Sequence, residues 1–245
     1  MATHPGDREL NVVLRDGSTV HVCPAKPGDA PAVRLLLRGL SDRSRWLRFF
    51  SACPDLAQAA RWATEVDNDR RYGLVATVGG HGQIVGHAGL ERESDRPERA
   101  EVALEVADAM QGKGLGTALL CRLAEAANQL GIQVLDAEVL PENRQMLRVF
   151  RDCGYPVKVR SRPGVELVEL QIGPAAQPRS LRSRRARRHD WTTSANGSTS
   201  CTASCSKKAG DRRAIGVHWW SAIYRRPDLD WDTPPDAYQR ERRSA

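Results

Sequence analysis

Two clusters of residues in this chain have the types and spacing for chemistry. One is Gln111-Gly112-Lys113-Gly114-Leu115-Gly116-Thr117, three alternating glycines that open an apolar helical stretch over residues 118–130. Glycine lets a backbone approach a ligand closely. The first turn of a helix offers N–H groups with no intrahelical partner, at the positive end of its dipole, so such a turn can hold a phosphate. The other cluster lies on the strand-like run that leads in. There Glu101 and Glu105 share one face, and Val102, Leu104 and Val106 share the other. A carboxylate beside a phosphate-bearing ligand is a candidate proton acceptor.

Glycine spacing excludes the commonest phosphate loops. A nucleotide P-loop needs GxxxxGK followed by Ser or Thr, and here Gly112 is followed at once by Lys113. A dinucleotide fingerprint needs GxGxxG, and Thr117 stands where its last glycine belongs. Asp136, on the next strand-like run, mimics the ribose-binding acid of that fingerprint without supplying the glycine.

The elements that must position these residues follow in order. Residues 11–14 and 19–23 have strand character around the turn Asp16-Gly17. Pro27-Gly28-Asp29 opens a helix with Asp29 as N-cap, along which Val33, Leu36, Leu37 and Leu40 recur at helical spacing. A second helical piece starts at Ser41 and carries residues 45–50, and a third covers 55–66. Residues 72–78 and 84–90 form an expected antiparallel pair, with 99–106 as the following strand. Strand and helix then alternate: helix 118–130 ending at Gly131, strand 132–139, helix 142–153, strands 157–160 and 165–172. This order predicts an α/β protein with a central mixed sheet and helices on both faces.

Charge divides the chain. Residues 1–171 carry 22 Lys and Arg against 23 Asp and Glu, whereas the remainder carries 15 against 7, so the net +7 belongs to the tail. The neutral portion presents no basic face, and nucleic acid is not an expected partner. Residues 173–245, rich in Arg, Ser, Pro and Trp without a sustained period, are expected to be disordered, with the basic run at 181–188 solvated. Residues 1–10 lack an apolar signal core and no run approaches a membrane span, so a cytoplasmic location with free thiols is expected for the six cysteines. Cys201 and Cys205 stand four apart with no second pair, and no metal site is expected.

Read as QxxGxG, through Gln111, Gly114 and Gly116, the glycine segment resembles the pyrophosphate loop of the GNAT superfamily of N-acetyltransferases. The Asn143-led helix closed by Gly154 is similar to that family's second signature. Residues 14–20 and 41–50 further resemble a bacterial branch that includes protein lysine acetyltransferases. The resemblance covers residues 10–172 and implies a GNAT-type acyl-CoA N-acyltransferase domain there, with 173–245 as an appended tail.

From the resemblance follows a set of roles. Acetyl-CoA would be the co-substrate and a primary amine the acceptor, a protein lysine by the branch resemblance. A small-molecule amine, or an acyl-CoA-binding domain without turnover, is the alternative. Backbone N–H groups of Gln111, Gly112, Lys113, Gly114, Leu115, Gly116 and Thr117 would hold the pyrophosphate, and the backbones of Leu104 and Val106 would pair with the cofactor's amides. Asn143 would contact the pantetheine, cap its helix, or do both. The Lys113 side chain either reaches a phosphate or stays in solvent. Glu101, five residues before Val106, stands where glutamate-using members carry their general base; the alternative is a solvent-facing strand glutamate, and Glu105 is the weaker candidate. Where many members place a tyrosine acid, four residues before the closing glycine, this chain has Phe150, which cannot protonate a leaving thiolate. Tyr155 is assigned to packing. Arg43, Arg45 and Arg48 either favour an acidic partner or decorate a helix.

Overall fold

Period-two alternation and helical spacing sort the chain into one sheet with helices on both of its faces. The structure, a computed structural model, describes residues 9–174 and 176 apart from 52, 80 and 81. The expected tail disorder, its basic run and the Cys201–Cys205 pair lie outside the described residues. The strands are β1 (Leu10–Val13), β2 (Thr19–Pro24), β3 (Arg71–Thr77), β4 (Ile84–Arg92), β5 (Arg99–Val106), β6 (Val134–Val139), β7 (Val157–Arg162) and β8 (Val165–Gln171). They order as β1-β2-β3-β4-β5-β6-β8-β7. Every neighbouring pair is antiparallel except β5 and β6, which run parallel. A parallel pair needs a crossover, and the glycine segment with its helix supplies it.

The helices are α1 (Ala30–Gly39), α2 (Asp42–Phe49), α3 (Leu56–Thr64), α4 (Leu115–Gln129) and α5 (Arg144–Asp152). On one face of the sheet, Leu115, Leu119, Leu120 and Leu123 of α4 and Phe150 of α5 bury against Val102, Leu104, Leu135 and Val139. On the other face, Val33, Leu36 and Leu37 of α1 meet Phe49 of α2, Ala59 and Ala60 of α3, and Val75 of β3. Even-numbered residues of β5 thus enter the first core, which turns Glu101, Ala103 and Glu105 toward α2 and α3.

Most element ends shift by one to three residues from the sequence expectation, and two helix starts show why. α4 begins at Leu115 rather than at residue 118, because Gly114 at φ +95° is its N-cap and the chain is already helical beyond it. Asp29 precedes α1 as expected, but its carboxylate accepts from the Lys26 N–H at 2.8 Å instead of from the helix. Among the described residues, no helix is long and apolar enough to cross a membrane.

Candidate active site

β5 and β6 pair over only three residues each, 99–101 with 134–136. β4 stays with β5 as far as Val106, and β6 stays with β8 as far as Val139. Beyond Glu101 the two strands therefore part, each with an unpaired inner edge. Antiparallel alternation says which groups that edge presents. The Ala107 N–H donates to Val85 O at 2.9 Å, so residues 103, 105 and 107 bond to β4 while Val102, Leu104 and Val106 direct their backbone groups into the gap. A cavity of about 590 Å³ lies there, with Leu104, Val106, Ala137, Glu138, Val139 and Asn143 among its walls.

The gap leads into the glycine segment. Gly112 and Gly114 have φ +75° and +95°, a region that costs other residues about 1–2 kcal/mol. Among the described residues no backbone bond engages the N–H groups of Gly112, Lys113 or Gly114. Those of Leu115, Gly116 and Thr117 belong to the first turn of α4 and have no intrahelical partner. Six donors are thus left for an anion.

Gln111 behaves differently from its neighbours. Its N–H donates to Asp108 O at 3.2 Å, and its side-chain amide donates to Val106 O at 3.1 Å and Ser44 Oγ at 3.2 Å. It braces the loop instead of offering donors to it. The β1–β2 turn supports the other side: the Arg15 N–H donates to Lys113 O at 2.9 Å, and Lys113 Nζ lies 3.0 Å from Asp16 Oδ2. Asn143 caps α5, its Oδ1 accepting from the Met146 N–H at 3.1 Å, and it also lines the cavity.

The two carboxylates of β5 have opposite surroundings. Glu105 is 5% exposed, accepts from Arg48 Nε at 2.7 Å, and faces His87 Nδ1 at 2.7 Å. His87 Nε2 faces Ala63 O at 3.1 Å, so each ring nitrogen meets an acceptor. Burial alone would raise the Glu105 carboxyl, but the charges and hydrogen bonds of Arg48 and His87 outweigh it and lower the pKa from 4.5 to about 2. Glu101 is 7% exposed, and its Oε1 has no hydrogen-bond partner among the described residues. Burial, and then the nearby charge of Glu138, raise its pKa from 4.5 to about 9 against the pull of Arg48. Glu101 is therefore not a solvent-facing strand residue.

Several groups at this site carried no local signal. Arg48 reads as a helix-surface cation, yet it points inward to Glu105, while Arg45 pairs with Asp42. Asp108 accepts from the Ser41 N–H at 2.8 Å, Ser41 Oγ at 3.0 Å and Ser44 Oγ at 2.5 Å. Burial works against its charge, and these hydrogen bonds keep its carboxyl below the usual range. Asp108 thus clamps the start of α2 and Glu105 its end. The partners are 57 to 67 residues apart, beyond the reach of any periodicity. Arg144 and Arg148, at helical spacing on α5, and Arg15 also line the cavity. Phe150 is buried in the α4–α5 core, and Tyr155 packs half-buried against the same core.

Residues 20–156 match the family described as Acetyltransferase (GNAT) domain. Acetyltransferase Pat of Mycolicibacterium smegmatis is 32% identical over 168 residues, covering 67% of this chain and 49% of that protein. The chain therefore spans about half the length of that relative. The crystal structure of the GNAT domain of S. lividans PAT superposes with a TM-score of 0.61 at 36% identity, over 66% of this chain and 96% of that one. YncA of Salmonella typhimurium, solved with its cofactor acetyl-CoA, shares the fold with a TM-score of 0.52 at 20% identity, over 65% of this chain and 97% of that one.

Proposed function

The chain belongs to the GNAT acetyltransferase family, and from that premise we propose that residues 10–172 form an acetyl-CoA-dependent N-acetyltransferase whose acceptor is a protein lysine. The observation that carries the reading is the open inner edge of β5 beyond Glu101, running into six N–H groups that have no backbone partner among the described residues. Such an arrangement suits a long ligand with amides at one end and phosphates at the other. The choice of lysine rests on the likeness to Pat and to the S. lividans PAT domain.

Acetyl-CoA, when bound, supplies an acetyl thioester. The Leu104 and Val106 backbones would hold its amides, residues 112–117 its pyrophosphate, and Asn143 its pantetheine, with Arg15, Arg144 and Arg148 adding charge against phosphate. The remaining chemistry is removal of a proton from the acceptor. A lysine ammonium near 10.4 lies roughly six units above an ordinary carboxyl, a transfer no single base of that kind drives well. Glu101 at about 9 narrows the gap to roughly 1.4 units, about 2 kcal/mol. Ionised Glu101 takes the proton as general base and leaves the amine nitrogen free to attack the acetyl group. Phe150 has no proton for the departing sulfur, whose pKa of about 8.5 lets it leave as thiolate.

The test is calorimetric titration of the full chain with acetyl-CoA, followed by thiol release with lysine-containing peptides. Binding with peptide-dependent turnover is expected. Absence of binding would overturn the reading, and binding without turnover on any amine would reduce the domain to an acyl-CoA-binding module.

A further inference from the structure

The acidic groups on the Glu101 face of the sheet are almost all paired. Asp136, the register partner of Glu101 on β6, accepts from Arg99 Nε at 2.8 Å. Glu169 lies 3.4 Å from Arg99, Glu91 lies 3.2 Å from Arg70, and Glu93 accepts from Arg96 at 2.7 Å. Two are left without an ion-pair partner among the described residues: Glu101 and Glu138.

Their positions make this a joint feature. Glu138 is two residues beyond Asp136 and so shares its face of β6, at the point where β5 and β6 have parted. On β5 the next residue of that face is Ala103, whose small side chain leaves room. Glu138 is exposed and stands on the cavity wall, whereas Glu101 is 7% exposed with Oε1 unpartnered. An exposed carboxylate on the cavity wall and a buried carboxyl thus follow one another on one face of the sheet, with Arg48 as the cation that also acts on the buried one. The closeness of the two is registered in the upward push that Glu138 exerts on the Glu101 carboxyl.

We infer that Glu138 is the docking carboxylate for the acceptor, receiving its ammonium group at the mouth of the gap before Glu101 takes the proton, so that acceptors are cationic primary amines. The inference rests on the function proposed above and adds a residue and a charge requirement to it. Glu138 is a specificity residue: it touches the acceptor and no bond to it is made or broken. An exposed carboxylate on the cavity wall attracts a cationic group, an attraction that salt screens.

The test uses the full chain with saturating acetyl-CoA and a lysine-containing peptide. Glu138→Gln is expected to raise KM for the peptide about fivefold while kcat and acetyl-CoA affinity change little. Wild-type KM should climb with added KCl, and the variant's should not; Glu138→Asp should restore most of the wild-type KM and its salt dependence. A pH profile adds a readout that structural damage would not produce. Glu101 is faced by Glu91 and Glu93 from β4 and the residues after it, by Asp136 and Glu138 from β6, and by Arg48 from α2. Removing the Glu138 charge should move the acid limb of kcat/KM to lower pH. An unchanged KM and salt response in Glu138→Gln, with an active wild type, would overturn this inference alone. An inactive wild type would overturn the proposed function and this inference with it.

Discussion

Glu101 and Glu105 lie on the same face of the same strand, four residues apart, and the fold treats them in opposite ways. At the Glu105 end, α2 brings Arg48 and the neighbouring strand β4 brings His87 to 2.7 Å, so the carboxylate is held ionised at about 2. At the Glu101 end, β6 makes its last pairing before it leaves, no cation among the described residues bonds to the carboxyl, and burial beside Glu138 drives it to about 9. Burial is common to both. What differs is whether a bonded opposite charge is supplied with it, and that difference separates a residue that holds the fold together from one whose ionised form is basic enough to take a proton from an amine.

The largest break of the comparison is Glu101→Gln. It should lower kcat by about 10²- to 10⁴-fold with acetyl-CoA affinity intact, measured by thiol release and calorimetry. It should also leave the melting temperature unchanged or higher, because an amide removes a buried ionisable group. Next comes Glu105→Gln, which strands the Arg48 and His87 donors in the interior. A loss of about 3–5 kcal/mol is expected, read as a drop of roughly 10 °C in the melting temperature.

The pH dependence of stability sharpens the contrast, since the two groups contribute slopes of opposite sign. Glu105 has a depressed pKa, so its contribution is complete above 4.5 and is lost as pH falls toward 2. Glu101 has a raised pKa. Between 4.5 and 9 the unfolded chain ionises while the folded one holds its proton, so stability falls as pH rises through that window. Chemical denaturation across pH should show the acid arm vanish in Glu105→Gln and the neutral-to-alkaline arm flatten in Glu101→Gln. The smallest expected effect is that of Asp108→Asn, which weakens the clamp on Ser41 and Ser44 at the start of α2. A cost of about 1–2 kcal/mol is expected, with KM for the acceptor rising and acetyl-CoA affinity little changed.

Much of this was legible in the residues. The alternation over 99–106 matches β5 residue for residue, and Gln111 to Gly114 lead into α4, whose first turn is Leu115 to Thr117, as the glycines imply. Leu104 and Val106 lie on the open edge, and Asn143 caps its helix while facing the cavity. Local sterics and short hydrogen bonds govern each of these. Gln111 was less legible, because its side chain bonds to Ser44 and its N–H is used within the turn at Asp108. Lys113 likewise meets Asp16, about a hundred residues away.

The sequence by itself determined that two carboxylates would share one strand face beside a phosphate-binding turn, because side-chain direction in a strand and φ freedom at glycine are local properties. Only the tertiary structure decided which of the two would be charged. Arg48 and His87 reach Glu105 from 57 and 18 residues away, and Glu138 approaches Glu101 where two strands diverge. Electrostatic fields and desolvation depend on distance in space, and folding alone sets those distances.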